Sequence, residues 1–285
     1  MWSLLGGHGY VGRHLGRELR LLGEEVSVRG RADGDFRDRV EPDWLAGARA
    51  VVLLAGATRT GDADRLLDNR RIVDAVVRAM AELGPPRPPL LFFSSLHVYR
   101  PSPRPARVGD ATFPSRTLYG SVKRGCERRL VRAAGDLGFP LWIGRAANLL
   151  AETAPPNPES FVGDMRRTLL AQGRLEVRRA PVRDLVRIED LARGLHRRVA
   201  SRLAAATAVI ENVATGRGVR LLDLARAARR LWSEQGRRAE VVELEAGDPD
   251  VLVGEPPEDR VWGCGPDPAA LAALIAGAVD GTDTR

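Results

Sequence analysis

Ser3-Leu4-Leu5-Gly6-Gly7-His8-Gly9-Tyr10-Val11-Gly12 is a short apolar run that breaks into a glycine turn, and residues 13–22 continue it with a helical apolar period. Gly6, Gly9 and Gly12 are spaced GxxGxxG. In the order strand, turn, helix, such glycines allow a tight bend, let a pyrophosphate approach the backbone at the helix N-terminus, and bring the helix close to the sheet. Gly6, Gly9 and Gly12, with Tyr10 and Val11 at the exit of the turn, are therefore candidate cofactor contacts. His8 reads as a neighbour of that loop rather than a catalyst.

Outward from this turn the alternation continues. The sequence predicts strands over 25–29, 50–55, 90–94 and 141–144, and helices over 63–83 and 117–137. An Asp/Gly-rich stretch after the second strand is too short for a full helix, prolines at 85–89 break the chain, and 101–114 is a proline-rich loop. Apolar strands alternating with helices predict an α/β fold, a Rossmann-type doubly wound parallel sheet with helices on both faces. Beyond Asn148 the pattern loosens, with helices over 160–172, 190–202, 221–234 and 267–279 and strands over 182–188 and 209–213. The expected division is a nucleotide-binding domain of 1–147 with returning segments at 184–215, and a smaller lobe of 148–183 and 216–285 over the cleft.

A single lysine, Lys123, stands among 44 Lys+Arg residues, so 44 − 1 = 43 are arginines. It lies four places after Tyr119, one of three tyrosines; that spacing arises by chance about one time in a hundred. On a helix, i and i+4 share a face. An ammonium beside a phenol stabilises phenolate and makes the tyrosine a usable proton donor near neutral pH, which a planar, always charged guanidinium does less compactly. A surface Tyr–Lys pair is the bland alternative.

The end of the second strand selects the cofactor. An acidic residue there binds ribose hydroxyls, whereas arginine accommodates a 2′-phosphate. Arg29-Gly30-Arg31 stands at this place and favours NADP(H), although Asp33 or Asp35 could still serve a ribose.

Composition narrows the alternatives. Cys126 and Cys264 lie far apart and match no metal or redox spacing, so no metal site and a disulfide-free cytoplasmic protein are expected. The N-terminus lacks a signal-peptide pattern, and the apolar runs are strand-sized. A net charge of +7 raises nucleic-acid binding, but the arginines are dispersed among Asp and Glu, with no basic tail or aromatic-basic stacking motif. The excess positive charge equally suits a doubly negative nucleotide substrate.

Taken in order, GGHGYVG, Ser94-Ser95 followed by Val98-Tyr99, Tyr119-xxx-Lys123, and Arg183-Asp184-Leu185-Val186-Arg187-Ile188-Glu189-Asp190 resemble the extended short-chain dehydrogenase/reductase family, of the NAD-dependent epimerase/dehydratase type, over roughly 1–215. Within it, the stretches 4–12, 119–130 and 183–190 look most like nucleotide-sugar 4-ketoreductases. The resemblance implies that Ser95 hydrogen-bonds the substrate oxygen, Tyr119 is the acid/base, and Lys123 holds the nicotinamide ribose while lowering the tyrosine pKa. It places Ser94 and Ala55, Gly56 and Ala57 beside the cofactor, Asp35 and Phe36 by the adenine, and Asn148 and Arg183 on the substrate diphosphate. For Arg183 an ion pair with Asp184 or Glu189 is the alternative. Family dehydratases carry Asp-Glu where this chain has Leu96-His97, so dehydration is not expected; His97 is an auxiliary acid, a substrate ligand or a packed side chain. The implied activity is NADPH-dependent reduction of a TDP-linked 4-keto-6-deoxyhexose, with a nucleotide-sugar epimerase retaining NAD, or a non-catalytic NADPH-binding protein, as rivals. The resemblance also implies a homodimer through the helices 63–83 and 117–137, with no nucleic-acid or membrane partner.

Overall fold

A computed structural model of the protein describes residues 1–57, 63–100, 102–115, 117–152, 154–178, 181–201, 208–245 and 250–277. Pro101 and residues 202, 278 and 279, which fall in the expected loop and helices, lie outside the described residues.

The first half runs β1 (Trp2–Leu5), α1 (Tyr10–Leu21), β2 (Val26–Arg29), β3 (Ala50–Leu53), α2 (Ala63–Glu82), β4 (Leu90–Ser95), α3 (Leu118–Leu137) and β5 (Leu141–Ala146). The second half holds β6 (Asn148–Leu150), α4 (Phe161–Gln172), β7 (Arg174–Arg178), β8 (Val182–Arg187), α5 (Ile188–Ser201), β9 (Ala208–Val213), β10 (Gly218–Arg220), α6 (Leu221–Glu234), β11 (Glu240–Leu244), β12 (Val251–Leu252) and α7 (Pro268–Ala276). The main sheet has six parallel strands in the order β2-β1-β3-β4-β5-β9. Strand order reverses between β1 and β3, and ligands of open parallel sheets bind in the crevice that such a reversal leaves at the strands' carboxyl ends.

The two faces of the sheet follow from alternation along each strand. Leu4, Val52, Leu91, Phe93 and Trp142 pack under α1 and α5, whereas Leu5, Val51, Leu90, Phe92 and Ile143 pack under α2 and α3. Leu4, Leu5 and Ile143 are among the fully buried side chains, each worth about 1.5–3 kcal/mol of burial. A third core forms where α4, α6 and α7 enclose Leu175, Leu185, Trp232 and Leu271. It is built from β6 onward, where the sequence pattern loosens.

Several bounds differ from expectation for local reasons. α1 starts at Tyr10, because Gly9 already has an extended N-cap conformation and the last turn residues close the first helical turn. Between β2 and β3 only a short 3-10 turn, Pro42–Trp44, fills the crossover. β6, β7, β10, β11 and β12 were not anticipated. They are two to five residues long, and pair with partners distant in sequence, such as β7 with β11.

Candidate active site

Gly6, at φ +86°, makes the bend after β1, and a Cβ there would sit 2.5 Å from the Ala55 backbone nitrogen. The turn is thereby pressed against the end of β3, so Ala55 and the glycine turn flank the reversal point. At Gly9, an added Cβ would meet only the Gly6 carbonyl, at 3.4 Å, which leaves that side of the turn open. No side chain caps α1 and no acidic residue stands in its first turn. Its N-terminal amides are therefore available to an anion, the arrangement that seats a pyrophosphate. Gly12 packs on Gly7 and Val11 borders the core. Tyr10 reaches across to accept a hydrogen bond from the Ala151 amide at 3.1 Å, tying the turn to the segment after β6.

Beyond β3, Gly56 (φ +152°) lies against Asn69 of α2, whose Oδ1 would be 2.2 Å from an added Cβ. Sequence reading missed Asn69. Its amide donates to the carbonyls of Ala57 and Leu66 (3.0 and 2.8 Å), and its Oδ1 is enclosed without a partner. An enclosed acceptor of this kind takes an O–H or N–H donor. The available signal was a carboxamide on the helix face that also carries Leu66, Ile72 and Val73.

At the end of β2 the two arginines differ. The Arg29 guanidinium lies 5.8 Å from the Trp44 ring centroid and Arg31 is exposed. Both nearby carboxylates are engaged. Asp33 accepts from the Gly30 amide at 2.8 Å. Asp35 bonds Arg37, whose guanidinium and backbone hold its carboxyl at about 2. Phe36, expected by the adenine, is turned inward and packs edge-on against Trp44, ring centroids 5.8 Å apart.

The catalytic candidates converge where β4 ends. Thr117 caps α3 by accepting from the Gly120 amide at 3.1 Å. A Cβ on Gly120 would stand 2.0 Å from the His97 carbonyl, so only glycine lets α3 lie this close to the Leu96–Val98 turn. That approach puts Tyr119 beside Ser95 and its ring 5.8 Å from the His97 ring. Burial pushes the Tyr119 phenol up to about 12, with Ser95 opposing it. The expected lowering by Lys123 is not what this geometry gives. The Lys123 ammonium is 5.9 Å from the Tyr119 ring centroid and donates to the Phe93 carbonyl at 2.9 Å. Burial depresses the Lys123 pKa. His97 is also depressed, first by burial and then by Arg183, with Asp250 opposing.

One turn beyond Lys123 stands Glu127, fully buried and also missed in the sequence. It accepts from Ser94 Oγ at 2.6 Å, from Arg145 Nε and Nη2 at 3.0 and 2.9 Å, and from Arg124 Nη1 at 3.1 Å. Ser94, expected at the cofactor, thus donates its hydroxyl to the interior. Arg145 Nη1 donates to the Tyr99 hydroxyl, which donates to Asn212 Oδ1, each at 2.8 Å.

The two residues expected on a diphosphate lie on β6 and β8. Asn148 donates to the Asp184 carbonyl at 3.1 Å. Arg183 pairs neither with Asp184 nor with Glu189 but with Asp250, Nη2 to Oδ2 2.5 Å and Nη1 to its carbonyl 2.8 Å. Asp184 is occupied instead by Thr215 (N and Oγ1) and the Gly216 amide, and burial raises it to about 6. Among the described residues no cluster of His, Cys, Asp and Glu could hold a metal ion, and no helix is long and apolar enough to cross a membrane.

Sheet order, glycine turn and Tyr–Lys helix define a Rossmann-type α/β protein. The chain belongs to the NAD dependent epimerase/dehydratase family, whose model matches residues 2–214. Among solved structures it is similar to UDP-glucose-4-epimerase from Stenotrophomonas maltophila with bound NAD and formylated UDP-arabinopyranose (TM-score 0.79, 20% identity, 97% of this chain and 96% of that one). It is also similar to RMD from Pseudomonas aeruginosa complexed with NADPH (0.73, 20%, 96% and 98%). A third likeness is TunA, a NAD dependent NDP-hexosamine 5,6-dehydratase involved in tunicamycin biosynthesis (0.74, 21%, 97% and 96%). These identities establish the shared fold. No curated protein sequence matches the chain.

Proposed function

We propose that the protein is an NADPH-dependent ketoreductase that reduces the keto group of a nucleotide-activated sugar, a TDP-linked 4-keto-6-deoxyhexose. The observation that carries this is the meeting of Ser95, Tyr119 and Lys123 at the end of β4, beside the open glycine turn. The residues present fit a dinucleotide: uncapped amides at α1, an outward-open Gly9, and the enclosed Asn69 acceptor. Arg29 and Arg31 favour the 2′-phosphorylated form, because Asp33 and Asp35 are already engaged and offer a ribose no free carboxylate.

A nicotinamide bound there would supply a hydrogen together with its bonding electron pair to the carbonyl carbon. The chain's own residues manage the proton. Tyr119, pushed up to about 12, is a protonated phenol at neutral pH and so a donor to the carbonyl oxygen. Ser95 fixes the phenol and is placed to bond the same oxygen as charge develops on it. Proton donation of this kind contributes about 10²–10⁴ in rate.

The lobe of 148–183 and 216–285 is taken as the sugar-nucleotide side, with Asn148, Arg183 and His97 facing the substrate. The proposed homodimer would form through α2 and α3, which lie side by side on one face of the sheet. The second reading, an epimerase that retains NAD, draws on the similar epimerase structure with bound NAD.

The test is oxidation of NADPH against NADH with a TDP-4-keto-6-deoxyhexose, with the product's configuration read by NMR. Consumption of NADPH in step with product supports the reading. Stoichiometric NAD co-purifying with the protein, with sugar interconversion and no net oxidation, replaces it with the epimerase. Cofactor binding without turnover on any keto-sugar nucleotide leaves a binding protein.

A further inference from the structure

Tyr119, Lys123 and Glu127 occupy three successive turns of one face of α3, at i, i+4 and i+8. Each faces the end of β4: Tyr119 lies beside Ser95, Lys123 donates to the Phe93 carbonyl, and Glu127 accepts from the Ser94 hydroxyl. The first two make the reactive pair of the preceding section. Glu127 touches neither cleft nor reacting atoms, yet it is an ionisable side chain with 0% exposure.

Lys123 is 6% exposed, donates to one carbonyl, and has the Phe92 ring 4.8 Å from its nitrogen. Such surroundings favour a neutral amine, since burial disfavours the charged form. Two groups oppose this, Cys126 and then Glu127. Cys126 is itself buried and its thiol is pushed up to about 11, so it carries no charge at neutral pH. Arg70 and Asp74 of α2 face Cys126 rather than the ammonium, and Tyr119 is a neutral phenol. Glu127 is left as the standing negative charge. It accepts four hydrogen bonds, three from the guanidiniums of Arg145 and Arg124 and one from Ser94.

We propose that Glu127 is a positioning residue for the reaction: across one helical turn, its carboxylate keeps Lys123 a charged ammonium beside Tyr119. The proposal rests on Tyr119 and Lys123 being the reactive pair, but the charge on Lys123 can be read without any substrate. Because the chain has one lysine, protein labelled with [6-¹³C]lysine and carrying a lysine-free tag gives one side-chain signal, assigned without further work.

The experiment follows the ¹³Cε shift against pH in the wild type, Glu127→Gln and Arg145→Gln. Glu127→Gln keeps an acceptor for Ser94 and loses the charge. Its lysine midpoint is expected about one pH unit or more below wild type. Arg145→Gln disturbs the same network but spares the carboxylate, and its midpoint is expected at or above wild type. The double variant Glu127→Gln/Arg145→Gln removes the buried guanidinium along with the carboxylate and leaves only the half-buried Arg124 facing the carboxamide; it gives the lowered midpoint if the single variant does not fold. A midpoint equal to wild type in the variants lacking Glu127, or an equal drop in Arg145→Gln, overturns the proposal and leaves Glu127 a structural tie. In turnover, the alkaline limb of kcat moves down with the lysine midpoint in Glu127→Gln, while KM for the sugar nucleotide stays. If the midpoint drops and no keto-sugar is reduced by any form, the ketoreductase reading fails and this one stands.

Discussion

Ser94 and Arg145 are direct partners across β4 and β5, and both bond the same carboxylate, Glu127. Asn212 continues that row on β9 and receives the Tyr99 hydroxyl that Arg145 also holds. A line of polar side chains therefore crosses three strands inside the sheet–helix interface, fully hydrogen-bonded. Its effect on chemistry is to separate two adjacent serines: Ser94 is spent inward, and Ser95 alone meets Tyr119.

Tyr119→Phe removes the proton donor and keeps the ring that packs near His97. Turnover is expected to fall by about 10²–10⁴, with the Kd for NADPH unchanged, as steady-state rates and a fluorescence titration would read. Full turnover in this variant would move the acid elsewhere, His97 being the next group in reach.

Asp184 predicts a pH dependence of stability. Its carboxyl is raised from 3.8 to about 6 by burial, so the folded chain holds that proton more tightly than the unfolded chain. The stabilisation is fully present below 3.8 and is lost as pH rises through about 6. That interval corresponds to at most about 3 kcal/mol. Asp184→Asn does not titrate, so the Tm of wild type minus that of the variant should shrink between pH 4 and 7, by on the order of 5–10 °C at most. A constant difference would mean that the donors from Thr215 and Gly216 keep Asp184 ionised throughout.

Arg183 is held by Asp250, and on the proposed assignment of Arg183 to the substrate diphosphate the two anions compete for it. Asp250→Asn should lower KM for the sugar nucleotide by up to about fivefold, the upper worth of a partly exposed ion pair, and leave kcat alone. A rise in KM would show instead that Asp250 holds Arg183 in its binding position.

What was legible in the sequence was local. The glycine turn, the doublet Ser94-Ser95 and the Tyr119–Lys123 spacing each lie within one strand–turn–helix unit, where period and residue chemistry agree. The same i+4 rule carried one turn further reaches Glu127, so that residue was readable. Arg145, Tyr99 and Asn212 were not, because their meeting depends on strand register across β4, β5 and β9. Arg183 fell to Asp250 rather than to a neighbour in sequence for a related reason: β12 pairs beside β8, placing residues 67 apart in contact. The lowered tyrosine pKa expected from Lys123 failed on burial, which sequence spacing does not reveal.

Ala106 sits in the proline-rich loop after β4 and takes three ties. Its amide donates to Val253, and its carbonyl accepts from Glu255 and from the Asn212 side chain. Two of these partners lie in the last quarter of the chain. This loop is thus tied down late in synthesis: a nascent chain that has finished the six-stranded sheet still lacks both backbone partners of Ala106. The chain up to β9 builds the sheet, and the final residues decide when this loop has somewhere to rest.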